Sequence, residues 1–140
     1  MYNLIVVSHG NLAEQFVSTS EMILGKQQGI SALCLKSGET KESFEIRLEE
    51  QLNQFNGSDV LVLADLFGGT PFNSAITLIL KGTHHIQLLA GVNLPMVIHA
   101  LMNKNRELSS VVDEIKSTAV DGIQNANKVI KCVYRDYMIN

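Results

Sequence analysis

VLVLADLFGGTPFN, residues 60–73, is the stretch that decides the fold. It opens with an uninterrupted apolar run, which is typical of a strand buried on both faces of a sheet. Asp65 ends that run, and a glycine-rich turn follows. Pro71 suits the first position of a helix, with Thr70 as the residue that caps it. The stretch therefore predicts a buried strand, a turn, and a helix that continues to about residue 80.

The same unit recurs along the chain. Short apolar runs at residues 4–7, Ile30–Leu35 and Ile86–Ala90 predict three further strands. Apolar residues at helical spacing predict helices that end at Gly25, near Gly57, near Leu80 and near Met102, with a fifth helix over residues 108–123. This alternation predicts a three-layer α/β/α fold with a mainly parallel sheet, in the flavodoxin-like strand order 2-1-3-4. An imperfect period of two at residues 129–134 predicts a last, short edge strand.

Composition limits the possible functions. The chain has 140 residues, 46% hydrophobic and 18% charged, which predicts one globular domain over residues 1–140 and excludes a disordered chain. The net charge is -3 and there is no basic stripe, so nucleic acid is not an expected partner. No apolar run is long enough to span a membrane, and the first residues lack the basic start of a signal peptide, so we expect a cytoplasmic protein. Cys34 and Cys132 are expected to be free thiols.

Two candidate site residues lie at the carboxyl ends of neighbouring strands. His9 follows the first strand and Asp65 the third, and ligands in such sheets bind at the switch point between these strands. A carboxylate beside an imidazole fixes the tautomer of the ring and stabilises positive charge on it. Taken singly, His9 could be a loop histidine and Asp65 a turn former. Together they favour a functional pair, and Gly10 would let a partner approach the histidine closely.

The turn after Asp65 is a candidate anion site. Backbone N–H groups of Gly68, Gly69 and Thr70 at a helix start would bind phosphoryl oxygens, although a plain capped turn explains the same residues. Residues 91–96 follow the fourth strand and would line the same crevice, as a partner-docking rim or simply as a turn and helix start. No Walker A, GxGxxG or HExxH motif occurs, so we expect neither a nucleotide cofactor nor a metal. The other histidines are expected to be structural or surface residues: His84, His85 and His99.

Three motifs together resemble the IIA component of the mannose-family sugar phosphotransferase system. They are VVSHG at residues 6–10, DLFGGTPFN at residues 65–73 and GVNLPM at residues 91–96. EMILG at residues 21–25 also fits. The resemblance covers nearly the whole chain, with the motifs in the expected order and spacing.

The resemblance implies a phosphotransferase that needs no cofactor. In such a system the phosphocarrier protein HPr, charged by enzyme I from phosphoenolpyruvate, donates a phosphoryl group to a histidine of IIA. IIA passes the group to IIB, which phosphorylates sugar entering through the membrane subunits IIC and IID. The resemblance further implies a homodimer in which the C-terminal strand is exchanged and lies antiparallel to the others.

The motif match also assigns roles to residues. The resemblance implies that His9 is the phosphorylated residue and that Asp65 orients it. The remaining residues are assigned to phosphoryl binding (Gly10, Gly68, Gly69 and Thr70) and to a partner rim (Phe67, Asn93 and Pro95).

Other functions stay open at this point. The IIA-like subunit of dihydroxyacetone kinase systems also phosphorylates a strand-end histidine, but its family pattern lacks the FGGTPFN-type and GVNLP-type stretches. A IIA-like regulatory module of a transcriptional activator would sense phosphorylation, and an ATPase domain on the same chain would identify it. A flavodoxin-like module that binds a small molecule would not react with phospho-HPr. The resemblance implies no particular sugar, because IIA contacts proteins: mannose, fructose, sorbose, N-acetylgalactosamine and gluconate all stay possible.

Overall fold

A computed structural model describes the backbone of residues 1–139 and the side chains of residues 1–138. In chain order the elements are β1 (Asn3–His9), α1 (Leu12–Leu24), β2 (Ile30–Leu35), α2 (Lys41–Asn53), β3 (Val60–Ala64), α3 (Gly69–Lys81), β4 (Ile86–Ala90), α4 (Leu94–Met102), α5 (Leu108–Asp121) and α6 (Ala126–Ile139). The strands form one parallel sheet in the order β2-β1-β3-β4, which confirms the predicted fold class and strand order. Within residues 1–139, no helix is both long and apolar enough to cross a membrane.

The central strands divide the core between two faces. Leu4 and Leu63 pack with α4 and α5 on one face, where α1 also contributes side chains. Ile5 and Val62 pack with α2 and α3 on the other face. All residues from 4 to 7 are fully buried, so both faces of β1 carry apolar side chains. Burial on both faces is the physical reason for the uninterrupted apolar run in β1.

One carboxylate closes the connection between β2 and α2. Glu39 accepts hydrogen bonds from the backbone N–H of Lys36 at 3.0 Å, from the Ser43 hydroxyl at 2.9 Å and from the Arg47 guanidinium at 2.9 Å. These bonds, first of all the one from the Lys36 amide, hold the pKa of Glu39 below its usual value. The connection lies at the same end of the sheet as the carboxyl ends of β1 and β3.

The helix after β3 begins earlier than predicted. α3 starts at Gly69 and its N-cap is Gly68, so the prediction of Thr70 as the cap and Pro71 as the first helical residue is wrong. The φ angles of Gly68 and Gly69 are 89° and 80°, a left-handed region that glycine enters without steric penalty. These two glycines therefore turn the chain into the helix before the proline is reached.

The predicted C-terminal edge strand is also wrong, because residues 129–134 lie inside α6. The apolar residues of this segment recur nearer to a period of 3.6 than to a period of two: Val129, Ile130, Val133, Tyr134 and Tyr137. A helix satisfies backbone donors and acceptors within the segment, whereas an edge strand needs a neighbouring strand to pair with. Every side chain of α6 that the structure describes is exposed.

An open apolar groove follows the free edge of β4. Its volume is about 650 Å³, and its lining includes Phe72 and Ile76 of α3, Leu88 of β4 and Met96 of α4. One end of the groove reaches Asp65, at the carboxyl end of β3. Among the described residues, β4 pairs with β3 alone, so its outer edge is unpaired.

Candidate functional site

His9 and Asp65 are in direct contact at the carboxyl ends of β1 and β3. Oδ2 of Asp65 lies 2.9 Å from the backbone nitrogen of His9 and 2.8 Å from its ring Nδ1, so one oxygen accepts both hydrogen bonds. The other carboxylate oxygen accepts a hydrogen bond from the N–H of Leu66 at 2.9 Å. The Asp65 side chain is 8% exposed and the His9 side chain 46%. The carboxylate is therefore held inside the site while the imidazole stands at its mouth.

The Asp65 contact assigns the tautomer of the neutral imidazole. A carboxylate only accepts hydrogen bonds, so Nδ1 carries the proton and Nε2 keeps its lone pair. The ring also lies close to Gly69, because a Cβ atom there would come within 3.0 Å of Cε1 and 3.4 Å of Nε2. Any side chain at position 69 would therefore crowd the edge of the ring that carries the free nitrogen.

The start of α3 supplies backbone donors beside the ring. The N–H groups of Gly68, Gly69 and Thr70 lie before the first amide that can bond within the helix, and no described residue accepts from them. The helix dipole adds partial positive charge at the same place. Gly10 is different, since its N–H donates to the carbonyl of Leu35 at 2.9 Å and is not free. The arrangement is suited to hold the oxygens of an anion next to Nε2.

Ser8 is a residue that the sequence prediction passed over. Its side chain is fully buried. The hydroxyl accepts a hydrogen bond from the N–H of Ala13 at 2.7 Å and donates one to the carbonyl of Gly10 at 3.2 Å. A polar residue that closes an apolar strand directly before the candidate histidine was the available signal.

The predicted rim residue Phe67 is prominent at the mouth of the site. It is 85% exposed, and its ring centroid lies 4.7 Å from that of Phe72. The neighbouring Leu66 is also exposed, at 57%. Large exposed apolar side chains beside a functional group are typical of a surface that binds another protein.

The other two predicted rim residues make contacts within the chain. Asn93 caps α4, where its Oδ1 accepts from the N–H of Met96 at 3.0 Å, and its Nδ2 donates to the carbonyl of Ala119 at 2.9 Å. Pro95 lies against the end of α5, since a Cβ atom on Gly122 would come within 2.7 Å of its Cγ. The loop after β4 is therefore a turn and helix start that ties α4 to α5.

The remaining histidines lie away from this site. His84 and His85 precede β4, at the opposite end of the sheet. His99 lies on α4, and its Nε2 is 2.7 Å from a carboxylate oxygen of Glu114. Within residues 1–138, no three His, Cys, Asp or Glu side chains are grouped so that they could hold a metal ion.

Comparison with known proteins identifies relatives across most of the chain. A family profile described as "PTS system fructose IIA component" matches residues 3–117. The "PTS system mannose-specific EIIAB component" of Escherichia coli (strain K12) is 33% identical over 129 residues, which cover 91% of this chain and 39% of that protein. The "PTS system fructose-specific EIIA component" of Bacillus subtilis (strain 168) is 27% identical over 126 residues, covering 89% of this chain and 86% of that protein.

A solved structure agrees with these sequence matches. The crystal structure of the phosphotransferase system component EIIA from Streptococcus agalactiae has a TM-score of 0.86 and 28% identity, and the match covers 91% of this chain and 99% of that one. This chain spans well under half the length of the mannose-specific EIIAB relative and most of the length of the fructose-specific one. Sequence and structure therefore agree that this chain belongs to the mannose- and fructose-type EIIA components of the phosphotransferase system.

Proposed function

We propose that this chain is a histidine phosphocarrier that accepts a phosphoryl group from phospho-HPr on Nε2 of His9 and passes it to a IIB component. The observation that carries the proposal is the 2.8 Å contact between Nδ1 of His9 and Oδ2 of Asp65. This contact occupies one ring nitrogen and leaves the other as the nucleophile. Membership in the EIIA family supports the same chemistry.

Phosphoryl transfer to His9 requires no proton to be added to or removed from its ring. The lone pair of Nε2 attacks phosphorus, the bond from phosphorus to the donor breaks, and its electron pair returns to the donor. Nδ1 keeps its proton throughout, so the phosphorylated ring carries positive charge, which the Asp65 carboxylate offsets. Onward transfer to IIB is the same displacement in reverse, with Nε2 of His9 as the leaving group. A histidine suits this double role because its bond to phosphorus is reactive.

The start of α3 would hold the oxygens of the transferred group. The free N–H groups of Gly68, Gly69 and Thr70 would donate to the negatively charged phosphoryl oxygens. Donors fixed in advance need little reorganisation during the reaction, and this type of positioning is the main source of catalysis in phosphoryl transfer. The hydroxyl of Thr70, in the first turn of α3, is an additional donor in this proposal.

We propose that the partners dock around Phe67. HPr and IIB are proteins, and an exposed apolar side chain at the mouth of the site gives both a contact surface. Asn93 and Pro95 would shape the rim by fixing the loop between β4 and α4, and the membrane subunits IIC and IID would act only through IIB. The proposal places the protein in the cytoplasm as a single domain over residues 1–140.

We also propose a homodimer. It is supported by the unpaired outer edge of β4 and the apolar groove beside it, because an open sheet edge favours pairing with another chain. Sedimentation equilibrium tests this part of the proposal separately, and a single species with the mass of one chain contradicts it.

Phosphorylation of His9 tests the proposed function directly. The purified chain is incubated with phosphoenolpyruvate, enzyme I and HPr, and intact-mass spectrometry follows the addition of one phosphoryl group. The wild-type chain and alanine variants of the three other histidines should gain the group, whereas His9→Ala should not. Nitrogen-15 and phosphorus-31 NMR should place it on Nε2. Incorporation into the His9→Ala protein would refute the assignment.

A further inference from the structure

Ser8 has no part in the chemistry proposed above, although it directly precedes His9. It lies in β1, opposite Cys34 of β2, and its side chain is fully buried. Successive side chains of a strand point to opposite faces, so Ser8 points towards α1 while His9 points towards Asp65. A buried hydroxyl is unfavourable unless it is hydrogen-bonded, so its bonds show what it holds in place.

Both bonds of the Ser8 hydroxyl close the turn from β1 to α1. It accepts from the N–H of Ala13, in the first turn of α1, and donates to the carbonyl of Gly10. Asn11 is the N-cap residue of α1 by position but makes no capping side-chain hydrogen bond. Ser8 therefore supplies from the preceding strand the acceptor that a helix start needs.

The turn that Ser8 closes carries His9. Gly10 has a φ of 55°, so the chain reverses sharply just after the histidine. Asp65 holds His9 at its backbone nitrogen and at Nδ1, both on one side of the residue. After His9, the path of the chain depends on two hydrogen bonds of Gly10: its carbonyl accepts from the Ser8 hydroxyl, and its N–H donates to the carbonyl of Leu35.

We propose that Ser8 is a positioning residue for phosphoryl transfer: its hydroxyl ties the β1–α1 turn to the first turn of α1 and so aims Nε2 of His9 at the group bound by the start of α3. This inference rests on the proposed phosphocarrier function. Because Ser8 is buried, it does not contact the protein that donates the phosphoryl group or the protein that receives it, and it acts only through His9. Loss of the hydroxyl frees the carbonyl of Gly10 and the N–H of Ala13, and the ring then samples a wider range of directions. Small misplacements of reacting groups have large effects on rate.

The test compares Ser8→Ala with Ser20→Ala. Ser20 is a matched control because it is equally buried and its hydroxyl donates to the carbonyl of Phe16 within α1, away from the site. Single-turnover transfer from phospho-HPr should be about 10–100-fold slower for Ser8→Ala, with the KM for phospho-HPr unchanged. Ser20→Ala should keep the wild-type rate, and Ser8→Thr, which retains the hydroxyl, should restore most of it. Equal rates for Ser8→Ala and Ser20→Ala would overturn the proposal.

A second measurement keeps this inference separate from the phosphocarrier proposal. Nitrogen-15 NMR of the unphosphorylated chain reports how fully the His9 ring holds one tautomer, and it requires no transfer. Ser8→Ala should show a mixture of tautomers, while Ser20→Ala and wild type show one. An unchanged His9 spectrum in Ser8→Ala overturns the positioning role, whereas a wild-type chain that takes up no phosphoryl group refutes only the proposed function. If Ser8→Ala does not fold, Ser8→Cys gives the same comparison, because a thiol fills the space but is a weak hydrogen-bonding group.

Discussion

Replacement of Asp65 by asparagine tests the site with little change in shape. In the wild-type chain each carboxylate oxygen accepts a backbone N–H, from His9 on one side and from Leu66 on the other. An asparagine has only one oxygen, so its NH₂ group must face one of these donors in either orientation. The substitution also removes the negative charge beside Nδ1 and leaves the ring without a partner that enforces its tautomer.

The size of the effect follows from the contact distance. Two unit charges 2.8 Å apart attract by about 1.5 kcal/mol in water and by about 6 kcal/mol at an effective dielectric constant of 20. The carboxylate is nearly buried and the imidazole half exposed, so the contact lies between these limits. A loss of roughly 3–5 kcal/mol of transition-state stabilisation corresponds to about a 10²–10⁴-fold slower transfer, since about 1.4 kcal/mol is tenfold in rate.

Rapid-quench measurement of phosphoryl transfer from phospho-HPr to Asp65→Asn would provide this number. Asp59→Asn is the matched control, because Asp59 is an exposed aspartate just before the other end of the same strand. Circular dichroism should show that both variants keep the fold. Transfer by Asp65→Asn within about threefold of the wild-type rate would show that the carboxylate does not stabilise the phosphorylated ring.

Three further predictions follow from single contacts. Gly69→Ala should slow phosphoryl uptake by about tenfold or more, because the φ of 80° at this position strains an alanine and the new Cβ atom would come within 3.0 Å of Cε1 of His9. A wild-type uptake rate would contradict this contact. Phe67→Ser should raise the KM for phospho-HPr without lowering kcat, and steady-state kinetics in which only kcat changes would place Phe67 in the chemistry instead of in docking. Glu39→Gln should lower the free energy of unfolding measured in urea at neutral pH. Because the pKa of Glu39 is lowered in the folded chain, its carboxylate stabilises the fold above the usual glutamate pKa, and this stabilisation is lost as the pH falls through the folded pKa. The unfolding free energies of wild type and variant should therefore converge in acid. A difference that stays constant with pH would refute the assignment.

The sheet could be predicted from the sequence because its two central strands, β1 and β3, are buried on both faces. Val60–Ala64 is apolar without interruption and Ile86–Ala90 is apolar except for Gln87, and the predicted bounds of both runs coincide with β3 and β4. The neighbourhood of His9 and Asp65 followed from strand order alone, since parallel strands bring their carboxyl ends to one edge.

The predictions for the C-terminal segment and for the start of α3 were wrong because the local sequence pattern there does not determine the structure by itself. Residues 129–134 have both a weak alternation and a helical spacing, and in the part of the chain that the structure describes they form a helix and pair with no strand of the sheet. Thr70 and Pro71 form a good capping sequence, but two glycines at positive φ started α3 before them. The bonds of Ser8 to Gly10 and Ala13 depend on the three-dimensional path of the turn, which residue types alone do not give.

The hydrogen bonds of Asp65 to His9 join the two innermost strands of the sheet. β1 and β3 pair with each other along most of their length, and their core residues are almost completely shielded from solvent. Strands in such a position exchange their amide hydrogens only when the whole domain opens. The site therefore belongs to the cooperative folding unit itself and not to a loop that frays independently. Heating should cause the loss of the His9–Asp65 contact and of the sheet in one transition, so the contact is expected to persist up to the melting temperature of the domain.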